Sequence, residues 1–231
     1  MTNHIVAFGD ILGVSSATSD DDRRKIFSDR LIKAHTAILP QVTRLKKSSN
    51  ISVNFYSDSI IMCGEINNDE SIKLLLHHMA KIQAQCAVHG LFMRGGVAHG
   101  LHYHDNSIDF GPALVEAVRI EGGISGDTAK ITLSRNLVNE IKNQELQIVK
   151  DDRDGTIFLH FLHFIEKHEY IKQLREFIEA EIDYTKTSHA TLSVHSKIEW
   201  LVRYFNWYYR YKDMHRPISL IEYKSSDFSY L

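Results

Sequence analysis

Apolar positions along the chain recur with a period that changes, and each change marks an element. Residues 4–8, HIVAF, are a short β-branched and aromatic run that stops at Gly9 and Asp10. Across residues 21–47 the period becomes helical: Phe27, Leu31, Ala34 and Ile38 share a stripe, and Pro40 stands where it would kink or end the helix. Residues 51–55 and 60–63 read as two strands around Tyr56-Ser57-Asp58-Ser59, a polar tetrad suited to a hairpin turn. Helical spacing returns over residues 70–88 through Ile72, Leu75, Leu76, Met79, Ile82 and Cys86; residues 91–98 predict a strand and 111–121 a helix. Strand, helix, strand, strand, helix, strand is the order of an α+β, ferredoxin-like split unit, an antiparallel sheet flanked by helices.

From residue 161 the texture changes. FIEKHEYIKQLREFIEAEI and SVHSKIEWLVRYFNWYYRYK predict two helices joined by YTKTSHATL. The second carries Ile198, Leu201, Val202 and Phe205 on one stripe, with Trp200, Tyr204, Trp207, Tyr208 and Tyr211 nearby. Such a stripe is expected to pack against the sheet domain or a second subunit, an aromatic base-stacking box being the alternative. The division is therefore a sheet domain over residues 1–160 and a C-terminal helical extension over 161–231, packed on the domain or dimer.

Composition narrows the function. The 231 residues hold 27 Lys and Arg against 29 Asp and Glu, a formal net charge of −2, spread along the chain. Nothing in this resembles the basic footprint of a nucleic-acid binder. Cys63 and Cys86 fall in a predicted strand and helix, as ordinary buried thiols of a reducing compartment do. No apolar run approaches the ~20 residues of a membrane helix, and MTNHIVAFGD lacks the basic start and apolar core of a signal peptide, so a cytoplasmic protein is expected.

Two acids interrupt otherwise apolar, β-prone stretches, where an unpartnered charge is costly. Asp10 ends the first strand and Asp58 lies at the hairpin turn. In a split unit the first strand neighbours the hairpin, so the two carboxylates meet and a proton or metal between them is expected. Hard oxygen ligands beside a phosphate-accepting site favour Mg²⁺ or Mn²⁺. The alternative is that Asp10 caps its turn and Asp58 forms an Asx-turn. After Asp10, the turn through Ile11, Gly13, Val14 and Ser15 offers successive backbone N–H groups suited to a polyphosphate.

FGDILGVSS resembles the first metal motif of class III nucleotide cyclases, and YSDS stands where that family has its second metal aspartate. FMRGGVAHG resembles the family's arginine-bearing strand with Gly-x-x-x-Gly spacing, and GPALVEAVRIE resembles the helix with glycine, alanine, arginine and glutamate at the positions of Gly111, Ala117, Arg119 and Glu121. The motifs run in the family's order as far as residue 135. This resemblance implies the split-unit fold and two divalent ions held by Asp10, Asp58 and the carbonyl of Ile11. It also implies a triphosphate held by Gly13, Val14, Ser15 and Arg94. Arg119 would be catalytic, reaching across a homodimer with composite sites.

The family's asparagine four residues before that arginine is Val115 here, and its late phosphate-binding lysine has no evident counterpart. Asp109, one residue nearer the arginine than the family's base-reading aspartate, is the matching candidate. Where purine cyclases commonly carry lysine or glutamate, this chain has Asn54, two residues before Tyr56 on the same strand face. An amide and a phenol both donate and accept, and tyrosine's bulk shrinks a purine-sized pocket. The whole set looks like the bacterial pyrimidine cyclases of Pycsar antiphage defence, which implies conversion of UTP or CTP to cyclic UMP or cyclic CMP and a downstream effector answering that nucleotide. A purine cyclase or a non-catalytic nucleotide-binding module are the alternatives. His102 and His104 could share zinc with Asp105, but AHGLHYHDN reads as an exposed hairpin, where solvated histidines are expected.

Overall fold

A computed structural model describes residues 1–17, 21–105, 108–126, 128–141, 146–187, 192–211 and 228–230. The chain runs β1 (Thr2–Ile11), α1 (Val14–Ala17), α2 (Asp21–Ser48), β2 (Ile51–Tyr56), β3 (Ser59–Glu65), α3 (Asp69–Val88), β4 (Met93–His104), β5 (Asp109–Phe110) and α4 (Pro112–Gly122). It continues through β6 (Ile131–Leu133), α5 (Arg135–Ile141), β7 (Ile148–Asp151), β8 (Ile157–Leu159), a 3-10 turn (Phe161–Phe164), α6 (His168–Thr187), α7 (Leu192–Tyr211) and β9 (Phe228–Tyr230).

The strands β2-β3-β1-β4 stand side by side, each antiparallel to its neighbours. That order makes the expected split unit: β3 is inserted between β1 and β2, and β4 covers the other side of β1. Beyond β4 the sheet continues through β6, β8, β7 and β9, and among the described strands only the β4–β6 pair is parallel.

Alternation along β1 decides what each face does. Ile5, Ala7 and Ile11 pack with Ala34 and Ile38 of α2 and with Ile72, Leu75 and Met79 of α3, in the larger core. Val6 and Phe8 face the opposite way, towards α4. There a Cβ on Gly96 would lie 2.2 Å from the Ala117 carbonyl oxygen, so only glycine lets the α4 backbone rest on β4.

Pro40 does not end α2, which continues to Ser48. Its cost of about 3 kcal/mol is offset because Ala34, Ile38, Val42 and Leu45 are buried on both sides of it. The aromatic residues of α7 are core residues. Trp200, Tyr204 and Tyr208 are buried, and the first two ring against Phe158 of β8 and Phe228 of β9. These rings are therefore closed to stacking on a base; the side chain of Tyr211 and the joining residues 188–191 lie outside the described set. Lys130 ties this region to the sheet. Wholly buried, its Nζ donates to Asp151 Oδ2 at 3.1 Å, Asp154 Oδ2 at 2.5 Å and Thr156 Oγ1 at 2.9 Å, while Trp200 Nε1 also donates to Asp151 Oδ2 at 2.8 Å.

Candidate active site

Strand register lines up the predicted residues. Tyr56 pairs with Ser59, Ser59 with Asp10, and Asp10 with Arg94, so one row crosses four strands on the face opposite the α2–α3 core. Directly paired residues point to the same side of a sheet. The next row on that face is Asn54, Ile61, Phe8 and Gly96. The hairpin turn brings Asp58 to the end of β1, where the Ile11 N–H donates to the Asp58 carbonyl at 3.0 Å. Ser57 takes a left-handed φ of 56° to make that turn.

Asp10 is half-buried between opposing influences. Burial first, and then the Asp58 carboxylate, raise its carboxyl above the ordinary 3.8; the Ser59 hydroxyl, which donates to Oδ1 at 3.2 Å, and Arg94 pull it back. Arg94 stands with its guanidinium 3.7 Å from Asp10 Oδ2 and in an ion pair with Glu121 of α4. Glu121 is likewise raised, first by burial, with Arg94 countering and Asp10 adding to the shift. Asp10 and Glu121 thus share the Arg94 guanidinium while Asp58 repels Asp10, an arrangement that favours a cation between the two aspartates.

These groups open on a cleft of about 660 Å³ lined by Asp10, Ile11, Gly13, Val14, Asp58 and Arg94. Gly13 turns the chain at a φ of 89°, a conformation glycine adopts freely, and leads into α1. The side chain of Ser15 is not among those described.

Arg119 is not brought to this cleft. It points from the outer side of α4, largely exposed and 3.1 Å from Glu116, beside exposed Val115 and Val118. Asp109 is apart as well, turned into the protein with both oxygens engaged. Asn54 Nδ2 donates to Oδ2 at 2.9 Å, and His104 Nδ1 and His102 Nε2 stand 2.6 and 3.3 Å from Oδ1. Burial would raise its carboxyl, but the hydrogen bonds from His104, Asn54 and His102 outweigh that and hold it below 3.8. A carboxylate only accepts, so this contact fixes the Asn54 amide with its nitrogen inward and its oxygen free. Tyr56 is exposed two strands from Asp10.

Two features escaped the sequence. The hairpin of β4 and β5 is not a solvated histidine tract: His102 is fully buried, and Asp105 accepts from the Tyr103 hydroxyl and the Ile108 N–H. The cleft's far wall is also built by the C-terminal helices, with Glu181 and Tyr184 of α6 and Lys197, Ile198 and Leu201 of α7, facing Arg23 and Arg30 of α2. The i, i+3, i+4, i+7 stripe of Val194, Lys197, Ile198 and Leu201 would have marked Lys197 as cleft-facing.

No protein-family model and no curated protein matches the chain. Among solved structures it is similar to the adenylyl cyclase CyaB from P. aeruginosa, at 14% identity and a TM-score of 0.43 over 68% of this chain and 92% of that one. It is also similar to a bacterial light-regulated adenylyl cyclase, at 13% identity and a TM-score of 0.44 over 76% of this chain, which spans 56% of that chain's length.

Proposed function

We propose that the chain is a pyrimidine nucleotide cyclase, converting UTP or CTP to the 3′,5′-cyclic monophosphate and pyrophosphate, as a homodimer whose product signals to a separate effector in antiphage defence. The observation that carries the reading is the meeting of Asp10 and Asp58 across β1 and the hairpin, within reach of Arg94 and beside the Gly13 turn. Three of the four sequence motifs meet there, and the fourth contributes Glu121, which pairs with Arg94, while its Arg119 stands outside the cleft.

The donor set fits two divalent ions, Mg²⁺ or Mn²⁺. Asp10 and Asp58 repel one another when both are charged, and with the Ile11 carbonyl they offer only oxygen. Bound there, the ions would supply the charge that acidifies the ribose 3′-hydroxyl and steadies the leaving pyrophosphate. The chain's own residues orient the reaction. Gly13, Val14 and Ser15 bind phosphate oxygens through backbone N–H groups, and Arg94 turns from Glu121 to the triphosphate. The 3′-oxygen then attacks the α-phosphorus in line as the bond to pyrophosphate breaks. Arg119 reaches the partner's phosphates from the outer face of α4, where exposed Val115 and Val118 supply apolar contact area. Asn54 Oδ1, fixed as an acceptor, and the Tyr56 hydroxyl read the base edge. Asp109 acts one step behind them, holding the amide.

The direct test incubates the purified chain separately with ATP, GTP, CTP and UTP in Mn²⁺ or Mg²⁺ and identifies products by mass spectrometry. A cyclic pyrimidine monophosphate is expected. A cyclic purine product would keep the two-carboxylate chemistry and overturn the base pocket, and no cyclic product from any of the four would overturn the cyclase reading.

The raised Asp10 carboxyl gives a second expectation. Ion binding requires the carboxylate, so protonation competes with it. Stabilisation by Mn²⁺ should therefore weaken as pH falls through the raised value, earlier than an ordinary aspartate would dictate, and recover as pH rises. At a concentration 100 times Kd the gain is about 2.7 kcal/mol, several degrees in Tm for a chain of this size. Thermal melts with and without Mn²⁺ across a pH series measure it. Asp10→Asn should show no such shift; a shift equal to the parent's would remove Asp10 from the ion site.

A further inference from the structure

Behind the proposed base pocket, three groups with affinity for metals converge on one carboxylate oxygen. His104 and Asp109 are direct cross-strand partners of β4 and β5. His102 shares their face two residues earlier, and Cys63 comes from β3. Their atoms meet at Asp109 Oδ1: His104 Nδ1 at 2.6 Å, His102 Nε2 at 3.3 Å and Cys63 Sγ at 3.8 Å. The ligand atoms of Cys63, His104 and Asp109 all lie within 4.8 Å of one another. Cys63, His102 and the Asp109 side chain are shut from solvent, and His104 is only partly open, its side chain 21% exposed.

We propose that Cys63 Sγ, His104 Nδ1 and Asp109 Oδ1 form a site for one thiophilic divalent transition ion of the zinc class. The chemistry of the set excludes the hard ions assigned to Asp10 and Asp58: one thiolate and one imidazole beside a single carboxylate are donors for zinc, not magnesium. In a tetrahedral zinc site with bonds of about 2.0–2.3 Å, ligand atoms lie about 3.3–3.8 Å apart. The Cys63–Asp109 spacing already meets this, and His104 has to withdraw from Asp109 by only about 1 Å. His102 then donates to the bound carboxylate from outside the ligand set, and water takes the open fourth position. Asn54 holds the second oxygen, Oδ2, at 2.9 Å, which prevents the carboxylate from rotating. The ion would lock Asp109 and, through it, the Asn54 amide. The site itself stands on these residues alone, whether or not the chain is a cyclase.

Metal-stripped full-length protein titrated with Co²⁺ provides the test. The expected result is one equivalent bound with a near-ultraviolet thiolate-to-cobalt charge-transfer band and the intense visible bands of a tetrahedral ion. Zinc should displace it, and protein purified without chelator should retain zinc by mass spectrometry. Cys63→Ser should abolish the charge-transfer band and Cys86→Ala, at a buried thiol on α3, should keep it. His102→Phe should weaken Co²⁺ binding roughly 10–100-fold as an outer-shell loss. Asp10→Asn should keep the band, which separates this site from the proposed reaction centre. Absence of a thiolate band in the parent protein at stoichiometric Co²⁺ overturns the proposal and leaves a hydrogen-bonded network only. A band that survives in Cys63→Ser overturns it equally.

Discussion

Asp58→Asn is expected to lower cyclic-nucleotide formation by three orders of magnitude or more, about 4 kcal/mol of transition-state stabilisation, while leaving the metal-free fold intact or slightly firmer. The two halves have one cause. In the absence of an ion the Asp58 charge raises the Asp10 carboxyl, so neutralising it relieves a repulsion within the folded state. That relief is a surface-like effect between half-buried groups, a few tenths to about 1 kcal/mol. Turnover measured at saturating Mn²⁺, beside thermal melts in chelator, reads both. An unchanged turnover would sink the two-carboxylate chemistry. Lost turnover with a Tm many degrees lower would show that Asp58 serves the fold, and the activity argument would fail with it.

Lys130→Met should have the largest effect on stability of any change outside the cleft, about 3–5 kcal/mol, on the order of 10 °C in Tm for a chain of this size. The methionine replaces the stem of the lysine well, so the loss is electrostatic. Asp151 is left buried with no cation, still receiving Trp200 Nε1 at 2.8 Å and the Arg153 N–H at 3.2 Å. Asp154, nearly half exposed, can turn to water and contributes less. Its carboxyl sits below the ordinary 3.8, because hydrogen bonds from Lys130 and Thr156 outweigh the burial that would raise it. That contribution is present above the ordinary value and lost as pH falls through the lowered one. Denaturant melts of the variant near neutral pH measure the main effect. A loss below about 1 kcal/mol would mean that water reaches Asp151 and that the triad is not a buried ion pair.

Sequence made the centre of the sheet legible, because β1, the hairpin and α3 are written in local periodicity, and the acids at residues 10 and 58 break that periodicity visibly. Their meeting followed from topology alone. What stayed hidden depends on residues distant in sequence. Lys130 looks like a surface lysine until β7, β8 and α7 close around it. The β4–β5 hairpin looked exposed because its histidines are polar; pairing of His104 with Asp109 and contact with Cys63, 41 positions earlier than His104, draw it inward. Pro40 misled in the opposite direction, since a local helix breaker was overruled by the burial of its flanks. Lys197 is hidden because Val194, Ile198 and Leu201 around it are apolar, and a lysine on such a stripe looks like an ordinary solvated edge.

The cleft's walls come from both ends of the chain, the Gly13 turn and α2 on one side and α6 and α7 on the other. During synthesis the two acids and Arg94 emerge early and can come together once β4 is made. The wall that encloses them is made about a hundred residues later. A nascent chain therefore carries Asp10, Asp58 and Arg94 on an open edge for several seconds before that wall closes over them. On the proposed reading, a translation product that stops before α6 would keep the oxygen ligands of the ion site and lack the wall that closes on the triphosphate.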